Sequence, residues 1–509
     1  MRKPILPLGT WGMMARPGLL TRARVLFLKH GLLVKAFTAC ISLAYIAYRT
    51  TRRPAGAATS TADDKPPCDV LTNPAWAPRL STLRELSLAG CGLTALPEAI
   101  GACVSLEKLD LARNDLVDLP RSVAELDKLE ILFILGSRRM TRVPAVLAKV
   151  PSLTRLGLRS NGLLALEGAR LPPNLVHVIF TDNAIAAIDD AAYAKFGTVR
   201  KLMLANNRLV AFTGGTTPAK NLAALELLRL ANNDLAALPA AVLSLPSLAW
   251  IALAGNARLL GAPPVDAAAA PAISLADVDV AGAEVLGKGA SGEVSAVTWR
   301  GAPGALKRLA LTSSDGRAED ELGVHAALGG AASQPASLIR ALAVVRDPPA
   351  VLMERLPAGA RDLARPPTIV EVTRDRYAPG ERFSAAFALN VAVSVARAVA
   401  YLHDRGVAHG DVYGHNILVH DASRLVKLGD FGASFFYGNC EKERRDLFAK
   451  VEARALGVLI AELGTRVVGD AATKRRLLAV ADAALAPDVA ARATPAAVLA
   501  ALLAVEAGP

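Results

Sequence analysis

Cysteine is scarce and scattered. The five thiols, Cys40, Cys68, Cys91, Cys103 and Cys440, include no CxxC pair, so neither a zinc site nor a disulfide framework is expected. On that reading Cys91 and Cys103 are ordinary small apolar residues and the compartment is a reducing one. Charge is also thin: 20% of residues are charged and 52% apolar, a balance that suits packed globular modules. The net charge of +12 invites a nucleic-acid partner, yet residues 1–62 hold ten Lys or Arg and no Asp or Glu, leaving 48 basic against 46 acidic residues elsewhere. The surplus thus belongs to the N-terminal segment. No basic groove interleaved with aromatics follows it, and no nucleic acid is expected as a partner. No long apolar run lies between residues 260 and 276. A chain of 509 residues has room for about two or three domains.

Within the basic segment, Gly31 to Tyr48 is apolar except for Lys35, at the short limit for a membrane span. Arg2, Lys3, Arg16, Arg22, Arg24 and Lys29 precede it, and Arg49, Arg52 and Arg53 follow. The positive-inside rule would keep the N-terminus cytoplasmic and send the rest of the chain across the membrane. The same Arg-rich, acid-free composition resembles an organelle transit peptide. Anchor, transit peptide and misassigned start codon stay open. The expected location is intracellular, organelle-targeted or membrane-associated through this segment.

Residues 83–259 repeat. The pattern Leu-x-x-Leu-x-Leu-x-x-Asn/Cys-x-Leu starts at Leu83, Leu106, Leu129, Leu153, Leu175, Val199, Leu225 and Leu248, with a period of about 23. In the second unit Leu106, Leu109 and Leu111 point inward, Asn114 satisfies backbone groups at the turn, and Leu116 and Leu119 close the layer. The Asn recurs as Asn161, Asn183, Asn207, Asn233 and Asn256; Cys91 and Ser137 replace it in the first and third units. Pro97, Pro120, Pro144 and Pro239 follow the last apolar position, where no strand partner needs an N–H. The pattern resembles leucine-rich repeats, which implies an α/β solenoid over 80–262 that is stable only as an array. Stacking would align Ser87, Asp110, Phe133, Gly157, Ile179, Met203, Arg229 and Ala252 in one concave row. Phe133, Leu135, Ile179 and Met203 then form an apolar centre flanked by Asp110, Arg113, Arg159, Asp182 and Arg229, the composition of a patch for a protein substrate or regulator.

After a linker at 263–275, which includes Asp266 to Ala272 and could begin a capping helix, the chemistry-bearing motifs appear in order. Gly287, Gly289 and Gly292, with Val294 just beyond, form a glycine-rich turn whose backbone N–H groups can approach phosphate oxygens. Ala305 and Lys307 lie on an alternating strand that would carry an ammonium into a cleft, and Glu321, with Glu319 as its rival, offers a carboxylate to orient it. Val351 to Leu356 reads as a strand and hinge, with Met353 behind it and Glu354 and Leu356 toward a base; Leu418, within Ile417 to Val419, would be the floor. Phe383 to His403 carries apolar residues at helical spacing. Asp411 and Asn416 share the loop beginning at His409, and Asp430 opens Asp430-Phe431-Gly432.

This series resembles the protein kinases, and the whole chain resembles leucine-rich-repeat protein kinases of the tyrosine-kinase-like, serine/threonine type, with a variant His-Gly-Asp catalytic loop. The resemblance implies an α/β solenoid followed by an α+β bilobal kinase fold over 276–507. It implies ATP and Mg²⁺ as cofactors, Asp411 as proton acceptor, Lys307 and Glu321 as the phosphate-holding pair, and Asn416 and Asp430 as metal ligands. Gly410 departs from the family's arginine, Tyr413 from its serine/threonine-type lysine and Glu452 from the aspartate of its large-lobe helix. No Ala-Pro-Glu follows Asp430, so the activation segment is short. Transfer of phosphate to a protein hydroxyl is expected, with a nucleotide-binding pseudokinase scaffold as the alternative; serine/threonine against tyrosine stays open.

Overall fold

The computed structural model describes residues 66–261, 270–289, 291–328 and 334–508. The basic segment 1–62, with its apolar stretch 31–48, and most of the linker lie outside these residues. Ser60–Pro367 and Glu371–Pro509 form one compact unit; Thr368–Val370 belong to another, in which the Thr368 hydroxyl accepts from the Val370 N–H at 3.1 Å.

The N-terminal part is built from short parallel strands, β1 (Glu85–Ser87), β2 (Lys108–Asp110), β3 (Ile131–Phe133), β4 (Arg155–Gly157), β5 (His177–Ile179), β6 (Lys201–Met203), β7 (Leu227–Arg229) and β8 (Trp250–Ala252), adjacent in chain order in one eight-stranded sheet. The central residues Leu86, Leu109, Leu132, Leu156, Val178, Leu202, Leu228 and Ile251 are buried, one per layer. Asparagines tie the layers together: Asn114 Nδ2 donates to the Leu88 and Leu111 carbonyls at 2.9 Å each, and its Oδ1 accepts from Leu93 N–H at 3.0 Å. Ser137 does part of this in the third unit, its Oγ donating to Asn114 O at 3.2 Å. Pro97, Pro120, Pro144 and Pro239 each precede a short helical turn on the opposite side, where a missing N–H costs nothing.

The strand register aligns Ser87, Asp110, Phe133, Gly157, Ile179, Met203, Arg229 and Ala252. Gly157 lets the Phe133 ring lie over it, since a Cβ there would meet Phe133 Cδ1 at 2.5 Å. The expected open patch is not open, however. Phe133, Leu135, Ile179 and Met203 are only 2%, 6%, 5% and 8% exposed, and Ile179 and Met203 share a core with Trp250, Val412 and Tyr413. The reading of the first cysteines is corrected too, because Cys68 and Cys91 form a disulfide; Cys103 remains a buried free thiol.

Beyond residue 270, a six-stranded sheet runs in the order β9 (Ala272–Ile273), β13 (Ala341–Val345), β14 (Ala350–Glu354), β12 (Ala302–Leu309), β11 (Gly292–Trp299), β10 (Val285–Lys288), with α1 (Ala318–Leu328) packed against it. A helical layer follows: α2 (Ala385–Asp404), α3 (Lys442–Arg466), α4 (Ala471–Leu485) and α5 (Pro495–Glu506), with the hairpin β15 (Ile417–His420) and β16 (Leu425–Leu428). Ser384 caps α2 through the Phe387 N–H, and Val391, Val395, Val399 and Leu402 put its buried stripe at helical spacing.

The two parts share their cores. Repeat leucines cluster with Ala408, Phe435, Tyr437, Phe448 and Val451, and a small-residue contact joins Ala205, Ala231 and Ala252 to Ala433. Polar bonds close the rim: Glu226 pairs with Arg200 at 3.1 Å and Arg374 at 2.8 Å, Arg454 Nε donates to Ser247 O at 3.1 Å, and Arg492 Nη2 donates to Pro246 O at 3.0 Å.

Candidate active site

Lys307 is the pivot. It lies on β12 opposite Val294 of β11 and Val351 of β14. Its ammonium meets Glu321 Oε1 at 2.6 Å and Asp430 Oδ1 at 2.9 Å. Burial alone would favour the neutral amine, but Asp430 and Glu321 outweigh it and keep the lysine charged. The helix phase decides between the two candidate carboxylates: Glu321 is buried against Lys307, while the Glu319 side chain is 82% exposed.

The glycine-rich turn sits over this pair. Gly287 is on β10, Gly289 N–H donates to Gly292 O at 2.8 Å, and Ser291 Oγ donates to Asp430 Oδ1 at 3.2 Å. Gly287 and Gly289 have open space where a Cβ would point, as a close approach by phosphate requires, whereas a Cβ on Gly292 would collide with Arg308 O. Ala305 pairs with Met353, and Leu418 on β15 pairs with Lys427 and Asp362. Glu354 is more committed than the hinge reading expects. Its N–H donates to Arg340 O at 3.0 Å and its carboxylate takes the Lys427 ammonium at 2.6 Å, while Leu356 packs half-buried at the edge of the core.

The loop that carries Asp411 is held from below by α3. Glu452 accepts from the N–H groups of His409 at 3.0 Å and Gly410 at 2.6 Å, and meets His403 Nε2 at 2.6 Å. Burial opposes its charge, and His403 with these donors outweighs burial. His409 Nε2 reaches Gly429 O at 3.0 Å, tying the loop to the Asp430 turn. Asn416 Nδ2 donates to Asp411 Oδ2 at 2.9 Å and to Asp411 O at 2.8 Å. Asp430 sits at φ +55°, and its side chain is 46% exposed. Loss of solvent works against its charge, and Lys307 overrides this and holds its pKa far down.

Sequence reasoning missed four residues here. Arg229, from β7, places Nη2 on Asp411 Oδ1, Nη1 on Gly410 O at 3.2 Å and Nε on Asp315 Oδ1 at 3.0 Å. Asp315 follows β12 in a loop without periodicity. Burial raises its pKa, Arg229 opposes, and Asp411 and Asp430 raise it further. Asp411 is itself held below the usual carboxylate range: burial works the other way, but Arg229 and His415 outweigh it. Trp250 of β8 stacks on Tyr413, and Asp375 holds His415 Nδ1 at 2.6 Å and accepts from Gly414 N–H. Of these, Arg229 carried a signal, since the repeat alignment already put it in the concave row.

The donors suit magnesium. The Asn416 amide oxygen and the exposed Asp430 carboxylate are hard oxygen ligands, and two protein ligands completed by phosphates are the usual holding for that ion.

Residues 281–453 match the family model described as protein kinase domain. Over 73 residues the chain is 42% identical to TMV resistance protein N of Nicotiana glutinosa, covering 14% of this chain and 6% of that protein. Over 177 residues it is 27% identical to serine/threonine-protein kinase VIK of Arabidopsis thaliana, covering 34% of this chain and 38% of that one. A solved structure, an LRR protein of Leptospira interrogans, is 23% identical with a TM-score of 0.32 and covers 40% of this chain and 51% of its own. The chain therefore spans well under half the length of these two curated relatives.

Proposed function

We propose, from the match of residues 281–453 to the family model described as protein kinase domain, that the chain is an ATP-dependent kinase that phosphorylates a protein hydroxyl, of the serine/threonine type, fused to a leucine-rich-repeat solenoid. One observation carries this reading: Lys307, Glu321 and Asp430 converge in one cluster, and Asp411, with Asn416 bonded to its carboxylate, lies within the field of Asp430. A bond forms from the substrate oxygen to the γ-phosphorus as the bond from that phosphorus to the β,γ-bridging oxygen breaks. The electron pair leaves with ADP and the hydroxyl proton passes to Asp411. Lys307 holds the nucleotide phosphates, oriented by Glu321; Asn416 fixes the Asp411 carboxylate. Magnesium, held by Asn416 and Asp430, would neutralise charge on the phosphates.

The repeats are proposed to recruit a protein substrate or regulator through their exposed flanks rather than the buried concave centre. Val117, Leu164 and Val210, which follow the buried Leu116, Leu163 and Leu209, are 46%, 54% and 54% exposed.

The test is phosphate incorporation from labelled ATP with magnesium. Asp411→Asn is expected to abolish incorporation while keeping nucleotide binding, and Lys307→Met to abolish incorporation; undiminished labelling in either refutes the assignment. A second reading, a nucleotide-binding scaffold without turnover, is favoured by the commitment of Asp411 to Arg229. It takes over if the unaltered chain binds ATP and transfers nothing.

A further inference from the structure

Tyr413 stands where the serine/threonine kinases that this loop resembles carry a lysine. Burial keeps its phenol protonated, so it brings no charge to the site. The repeats bring one. Arg229 is only 4% exposed, bonds Asp411 and Asp315, and reaches the loop backbone at Gly410.

The loop is shaped for this contact. A Cβ at Gly410, which sits at φ +77°, would lie 2.7 Å from Ile251 O and 2.6 Å from Ala433 O, so no arginine fits there beside the repeats. Val412 O accepts from Trp250 Nε1 at 3.0 Å. These bonds border hydrophobic clusters common to both parts, and an interface continuous with the core does not behave as a removable lid.

We propose that the repeat region completes the kinase site in the same chain, with Arg229 as the cation that meets the transferring phosphoryl group. This rests on the kinase reading above. It explains how the chain does without the loop lysine, and it makes the concave row part of the catalytic centre.

Equilibrium binding of Mg-ATP and Mg-ADP to the full chain tests it, read beside single-turnover transfer and a thermal melt. Arg229→Met is expected to weaken Mg-ATP by about tenfold or more while leaving Mg-ADP within about twofold. Transfer should fall by about a hundredfold. Arg229→Lys, which keeps a charge, should lie between and carries the test if Arg229→Met fails to fold. Equal weakening of both nucleotides, no weakening, or faster transfer in Arg229→Met overturns the proposal, the last by making the arginine a lock. If the unaltered chain transfers nothing but prefers Mg-ATP in an Arg229-dependent way, the turnover reading fails and the placement of the arginine stands. A chain that binds neither nucleotide sinks both.

Discussion

The indole of Trp250 lies face to face on the Tyr413 ring, with centroids 4.3 Å apart and planes 8° from parallel. A residue of the last sheet strand of the repeats thereby fixes the loop that carries Asp411. Truncation by Trp250→Ala should cost about 3–5 kcal/mol. Trp250→Phe keeps an aromatic on Tyr413 but drops the bond to Val412 O, and should cost the lost indole area plus about 1 kcal/mol. Denaturant midpoints of the two variants check this, and the alanine variant should also lose transfer rate.

Glu452 satisfies two buried loop N–H groups at once. Glu452→Gln retains one acceptor oxygen, while Glu452→Ala leaves both donors bare and should destabilise by about 2–5 kcal/mol. Glu452→Asp restores the residue usual in the kinases this chain resembles, yet its shorter reach is expected to fall between these two. Thermal melts order the three.

Asp315, Asp411 and Asp430 bring three carboxylates into one electrostatic neighbourhood, and a triphosphate adds more negative charge. Asp315→Asn removes one of these charges and loosens a claim on Arg229. Mg-ATP should bind about three- to tenfold more tightly, measured by titration calorimetry at constant salt.

Glu462 on α3 is pushed up to about 7 by burial, with Asp375 adding to it; the bond from the Tyr377 hydroxyl, 3.2 Å away, opposes the shift. The folded chain therefore holds this proton more tightly than the unfolded one, whose carboxyl titrates near 4.5. The associated stability is full below that value and is lost as pH rises to about 7. Melting temperature should fall across this window, and Glu462→Gln should flatten the fall and melt higher at pH 8.

That Lys307, Glu321, Asp411, Asn416 and Asp430 come together was legible because each motif pairs a residue type with a fixed place in the order of strands and loops. Lys307, Asp411, Asn416 and Asp430 needed nothing more, and only the choice of Glu321 over Glu319 waited for the phase of α1. The concave row was legible from the repeat period, down to the residues that stand side by side. What covers that row was not, since periodicity says which face a side chain occupies and nothing about what lands on it. Arg229 was thus readable in position and unreadable in role, and Trp250, two residues before the row position Ala252, was not singled out. Asp315 lies in a loop without pattern. Cys68 precedes Cys91 by 23 residues, one repeat length, but it lies ahead of the first matching leucine and the pairing went unread.

The shared clusters have one more effect. A chain severed near residue 262 would carry Phe435, Tyr437 and Phe448 into water on one fragment and the leucines they touch on the other. Neither piece can be borrowed as a free-standing module, and a substitution along the seam on one side demands a matching change across it. The two halves can drift in sequence only in step.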